Sequence, residues 1–314
     1  MPAPRAVLPP PVRPGDRIGV AALSGPVDPG RLARGLAALS GLGFEPVPAA
    51  NLGEASGLFA GDDRRRLDAF HRLAADPSLK AIAFARGGHG VLRLLPEIDW
   101  ALLAAHPRAY LGYSDLTPFL LAVTARLGLV AFHGPMVAAD LARGISGEEA
   151  ASLLAALAGE YPRAYAVEGV IAGGVGGAHP GAGGGGEPAA GPLLGGCLSL
   201  IAALLGTPHL PDLAGAVLFW EDVDEPLYRL DRMLTHLKLS GSLAALSAMV
   251  VGHAEPTDAR GEPPAVWLAD ALAGFSPPLA WGLAAGHRAP NLTLPLGLVA
   301  RLEPAARRLV CGEG

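Results

Sequence analysis

The sequence predicts an α/β protein: a parallel sheet wrapped by helices, followed by a smaller mixed α/β domain. Three observations carry this. Short apolar runs alternate with segments of helical periodicity over residues 17–112, the pattern of strands fed by crossover helices. The chain has 314 residues, about twice the common domain size of roughly 150. A hydrophobic share of 51% against 17% charged residues supplies apolar surface for a sizeable core.

The elements follow in order. Residues 17–23 form an apolar strand ending at Ser24-Gly25-Pro26, and 30–42 carry helical periodicity. Residues 44–47 extend, 62–75 are helical, 80–85 extend, 91–106 are mostly helical and 110–112 extend again. Together 13–140 read as an N-terminal α/β domain. Residues 141–163 read as a helical connector, its helix opening near Ser146-Gly147-Glu148-Glu149 and closing near Gly159. A C-terminal domain over 164–314 then begins with a strand at 164–170. It continues with a helix at 199–205, a strand at 216–220, a helix at 228–237 and an apolar run at 248–252. Strand-length runs lie within 279–286 and 295–309. Residues 173–191 are rich in glycine and low in complexity, which predicts a flexible surface loop.

Several function classes are disfavoured. No window offers the roughly 18 consecutive apolar residues of a membrane span. The net charge is −5 and the 24 basic residues are scattered, without the basic stripe of a nucleic-acid binder. The N-terminus lacks a basic start followed by a continuous apolar stretch, so a cytoplasmic location is expected. Cys197 and Cys311 form no metal-ligand or disulfide pattern and read as small buried thiols. Gly181-Ala182-Gly183-Gly184-Gly185-Gly186 matches a dinucleotide fingerprint in form. Its flanks, His179-Pro180 and Glu187-Pro188, are neither the strand nor the helix that such a fingerprint needs.

Loops at the carboxyl ends of parallel strands build the sites of such folds, which directs attention to four places. Ser114, in Gly112-Tyr113-Ser114-Asp115, lies between a strand and a helix whose first turn holds Pro118. It is either a helix cap or a nucleophile on a sharp turn, with the Asp115 amide aimed at a developing oxyanion. Leu116 stands where Gly-x-Ser-x-Gly would have its last glycine, which separates the chain from ordinary α/β-hydrolases. In Arg86-Gly87-Gly88-His89-Gly90 adjacent glycines permit close backbone approach, so this is either a second oxyanion donor or a tight turn. Glu221 ends a buried strand and opens a run of four carboxylates over 221–225. It is either the partner of a catalytic histidine or part of a solvated acidic loop. No further metal ligands stand beside it. His287, between Gly286 and a proline-bearing turn, is suited to shuttle a proton near neutral pH, or else packs at an element's edge. His133, in Phe132-His133-Gly134-Pro135, reads as structural.

Taken together these segments resemble the LD-carboxypeptidase family of serine peptidases, which includes the microcin-immunity hydrolases. The resemblance runs from Arg13-Pro14-Gly15-Asp16 almost to the C-terminus. It rests on 86–96 with Ile98-Asp99, on 112–115, on 132–136, on Gly195-Gly196-Cys197-Leu198-Ser199 with Gly206-Thr207-Pro208, on 221–234 and on Gly286-His287. It implies a three-layer α/β/α N-terminal domain, a smaller C-terminal domain, a homodimer, and no metal or organic cofactor. It also implies a triad in which Ser114 attacks, His287 is base and then acid, and Glu221 orients His287. The amides of Gly88 and Asp115 are then the oxyanion hole. The implied reaction removes the terminal D-alanine from murein tetrapeptides. Arg86, or else the helix N-terminus after Ser114, is the candidate for binding the substrate's free carboxylate, with Tyr113 and Trp220 as further contacts. His89 stands where the family usually has Tyr, Cys197 replaces a common Asn, and the 173–191 segment is longer than usual. An immunity-type hydrolase of acyl-sulfamate or aminoacyl-nucleotide amides is the rival, with Trp220 as an aromatic platform for the base. A two-domain solute-binding protein is the rival from a different class.

Overall fold

A computed structural model of the chain describes residues 6–171, 187–258 and 261–312. They form two compact units, one of Ala6–Glu160 with Pro290–Leu296, the other of Tyr161–Ala289 with Gly297–Gly314.

The first unit opens with the expected alternation: β1 (Arg17–Ala21), α1 (Pro29–Gly41), β2 (Glu45–Pro48), α2 (Asp63–Ala75), β3 (Leu79–Phe84), α3 (Val91–Leu94), α4 (Trp100–Ala105), β4 (Ala109–Gly112), α5 (Thr117–Leu127) and β5 (Ala131–His133). The strands pair in parallel in the order β5-β4-β3-β1-β2. Five of the six β3 residues and all of β4 are buried, as expected of strands covered on both faces. Helices α1 and α2 begin where acidic side chains satisfy their first amides, with Asp28 accepting from the Arg31 amide and Asp62 from that of Arg65. Helix α5 stops at Gly128, whose left-handed φ of 60° closes it.

Helix α6 (Gly147–Leu157) has the anticipated capping box between Ser146 and Glu149, but it belongs to the first unit and is not a connector. It buries Leu153, Ala156 and Leu157. It also receives a late segment of chain: Glu149 accepts the Asn291 amide at 2.9 Å and the Ser152 hydroxyl accepts that of Thr293 at 3.1 Å.

The second unit contains β6 (Arg163–Ala166), β7 (Gly169–Ile171), β8 (Ala189–Cys197), α7 (Leu198–Leu204), β9 (Val217–Glu221), α8 (Leu227–Leu239), β10 (Ala248–Val251), α9 (Pro264–Ala271) and β11 (Leu279–Trp281). After β12 (Leu294–Leu296) it ends with β13 (Val299–Glu303) and β14 (Arg308–Cys311). Its sheet runs β6-β14-β13-β8-β9-β10-β11-β7. The centre, β8 to β11, is parallel, and the flanks are antiparallel. The strand expected at 164–170 is two strands on opposite edges of this sheet. Strand β12 pairs antiparallel with β5 and so completes the first unit's sheet, which is therefore mixed. The domain boundary drawn at residue 164 misses this return.

Of the glycine-rich segment 173–191, residues 173–186, with the fingerprint match at 181–186, lie outside the described residues. Its end belongs to β8, which starts at Ala189. No described helix is long and apolar enough to cross a membrane.

Candidate active site

In the first unit β4 delivers the chain to Ser114, which adopts φ 62°, a left-handed conformation that costs a side-chain-bearing residue about 1–2 kcal/mol. A short turn, Ser114–Leu116, leads directly into α5. Tyr113 and Leu116 stand at the cap positions of that turn and of α5, and neither side chain makes a capping bond. The arrangement is a strand, a strained turn and a helix, the local geometry of an exposed nucleophile. Asp115 is buried, and its carboxylate turns away from its own helix to accept the Val91 amide at 3.1 Å. Burial pushes its pKa up, against the nearby Ser24 hydroxyl and the Val91 and Gly90 amides.

The loop after β3 lies against this turn. A Cβ on Gly87 would stand 2.9 Å from both Cβ and Oγ of Ser114, so only glycine allows the approach. The Gly87 carbonyl accepts from the Gly25 amide at 3.3 Å and from Arg86 Nε at 3.1 Å, and Arg86 also donates to the Pro26 carbonyl. Gly88 follows with φ 124°.

On the other flank, Tyr113 is buried and its hydroxyl donates to Asp140 at 3.3 Å. Asp140 also accepts from the Met136 amide and from Arg143, and burial raises its pKa above the ordinary range. Tyr113 is thus a brace beside Ser114 and presents no ring to a substrate, contrary to the contact role expected of it. The sequence does little to mark Asp140. Its only signal there is a lone carboxylate within the otherwise apolar 137–141 run, a single wide helical turn in the structure.

The second unit carries an acid–imidazole pair. Glu221, the last residue of β9, is fully buried, and its Oε2 lies 2.6 Å from His287 Nδ1. The His287 side chain keeps 17% of its surface exposed. With Nδ1 held by the carboxylate, Nε2 is the nitrogen that serves a proton-transfer partner. Burial raises the Glu221 pKa and the hydrogen bond from His287 opposes the shift. Gly286 is required here: its φ is 125°, and a Cβ would stand 2.7 Å from Glu221 Oε2.

The two loops holding this pair are joined by a third. The Asp222 amide donates to the His253 carbonyl at 3.0 Å and the His253 amide to that of Ala285 at 2.9 Å. Asp222 also accepts the Ser199 amide at 2.7 Å, so the acidic run at 221–225 is partly structural. Among the described residues no group of three His, Cys, Asp or Glu is placed to hold a metal ion. Cys197, paired in register with Glu221, is buried with its thiol pKa pushed well up by that burial. Trp220 is fully buried, with its ring tilted against Trp267. It offers no face to a nucleobase, which corrects its expected role as a platform. Arg86 and His89 are exposed, His89 lying 5.9 Å from the Phe59 ring.

Residues 18–134 match the family model of the LD-carboxypeptidase N-terminal domain, and residues 190–302 that of the C-terminal domain. A probable murein peptide carboxypeptidase of Bacillus subtilis is 33% identical over 96% of this chain and 92% of its own length. The crystal structure of a muramoyltetrapeptide carboxypeptidase from Oxalobacter formigenes matches 95% of this chain and 99% of its own with a TM-score of 0.80 at 31% identity. A structure of MccF in complex with glutamyl sulfamoyl guanosine matches 99% of both chains with a TM-score of 0.86 at 23% identity, a likeness of fold. With both family models matched in order, the chain belongs to the LD-carboxypeptidase family and is a carboxypeptidase.

Proposed function

We propose that the protein is a serine carboxypeptidase that hydrolyses the amide joining an L-centre to the terminal D-alanine of murein tetrapeptides. The observation that carries this is the buried Glu221–His287 pair at 2.6 Å, supported by the strained turn at Ser114. Ser114 Oγ attacks the scissile carbonyl while His287 Nε2 takes its proton, and Glu221 stabilises the imidazolium. The Gly88 and Asp115 amides receive the oxyanion. Collapse of the tetrahedral intermediate passes the proton from His287 to the departing D-alanine nitrogen, and water then releases the acyl group by the same route. Arg86, exposed and beside the Gly88 loop, is the proposed partner of the substrate carboxylate. The names of the Bacillus and Oxalobacter relatives support murein peptide as the substrate. Action in the cytoplasm as a homodimer belongs to the same reading. The second reading, acyl-sulfamate amides, draws on the name of the microcin C7 self-immunity relative MccF, and the burial of Trp220 disfavours it.

Mass spectrometry of tetrapeptide incubated with the protein decides between these. Loss of D-alanine that is abolished in Ser114→Ala is expected. Turnover of an aminoacyl sulfamoyl nucleoside in place of the peptide establishes the second reading, and binding of peptide without turnover by either route overturns both in favour of a solute-binding role.

A further inference from the structure

Asp115 contributes more than a backbone amide. Its side chain is 2% exposed, yet its carboxylate makes no bond to its own helix. Oδ2 instead accepts the Val91 amide at 3.1 Å, 24 residues back in the chain, and the Gly90 amide also faces the carboxylate. Val91 is the first residue of α3, whose own cap position is Gly90, with no side chain to offer. The loop between β3 and α3 therefore has two anchors. At its start the Gly87 carbonyl is held by Gly25 and Arg86. At its end the Val91 amide is held by Asp115. Between the anchors stands Gly88, with φ 124° and no side chain of its own to fix it.

We propose that the Asp115 carboxylate is a positioning group that fixes the Gly88 amide relative to the Asp115 amide, so that one residue both supplies one oxyanion donor and locates the other. The proposal rests on the peptidase reading above. The oxyanion contributes to rate only where donors meet the developing charge at about 2.7–3.1 Å, and a misplacement of about 1 Å costs about 100-fold in rate. A tether that moved both donors together would protect that separation.

The test uses the full chain and a murein tetrapeptide, with kcat, KM, thermal midpoint and affinity for a peptidyl aldehyde that forms a hemiacetal with Ser114. Asp115→Ala is expected to lower kcat by about 100-fold with KM within about threefold, and to weaken the aldehyde in parallel. Asp115→Asn keeps an acceptor for the Val91 amide and is expected to restore kcat to within about tenfold of the parent. Val91→Pro removes the donor without touching Asp115, at a helix position that suits proline, and should lower kcat in the same direction. Should Asp115→Ala fail to fold, Val91→Pro decides. Parental kcat and aldehyde affinity in the folded variants overturn the proposal. Absence of D-alanine release by the parent protein, or release that persists in Ser114→Ala, overturns the peptidase reading itself.

Discussion

Ser114 carries backbone strain, since it is a non-glycine residue at φ 62°. Gly and Ala both remove its hydroxyl, but only Gly removes the strain. Ser114→Gly should therefore unfold at a higher temperature than Ser114→Ala, by the equivalent of about 0.5–1 kcal/mol once glycine's extra chain entropy is subtracted. Equal midpoints would show that the turn relaxes in the variants. Asp140 makes a second prediction at this scale. Its pKa is raised in the folded state by burial, so its contribution to stability is greatest below its unfolded value of about 4 and is lost as pH rises through the folded value. Asparagine does not titrate. The melting temperature of the parent protein minus that of Asp140→Asn should fall as pH is raised from about 4 towards neutrality, and a constant or rising difference contradicts the assignment. The residues legible in the sequence were those at strand ends with reactive side chains. Asp140 and the Asp115 carboxylate were not, because their partners, Tyr113 and Val91, are set by tertiary packing.

At the scale of elements, the acid and the imidazole depend on the three consecutive parallel strands β9, β10 and β11 ending side by side. Gly252, just after β10, is closely packed between their loops. A Cβ there would stand 2.4 Å from the Ala285 carbonyl oxygen and 3.3 Å from Glu221 Cβ. Gly252→Ala should destabilise the fold by about 1–3 kcal/mol and lower kcat more than it raises KM, because it spreads the loops that carry Glu221 and His287. Urea unfolding and steady-state kinetics on the same sample check both halves; a kcat unchanged in the destabilised variant would separate the loops from catalysis. The helices and central strands here were readable from periodicity and caps. The split of 164–170 into β6 and β7 was not, since one short extended run carries no mark of the two different partners, β14 and β11, that its halves find.

At the scale of the molecule, the alternating pattern announced a parallel α/β sheet and the change of pattern announced a second unit. What the sequence concealed is the closing strand of the first sheet. Leu294-Pro295-Leu296 is three residues long and contains proline, which confines it to an edge, and its partner β5 lies some 160 residues earlier in the chain. A strand paired at that separation depends on contacts that no local window contains. Its place also sets an order of events during synthesis. A growing chain that has emerged only to Glu160 has every helix of its first unit but an unfilled position beside β5. That position stays open while the whole of Tyr161–Ala289 is made, and the first domain to be begun is completed only after nearly all of the second has left the ribosome.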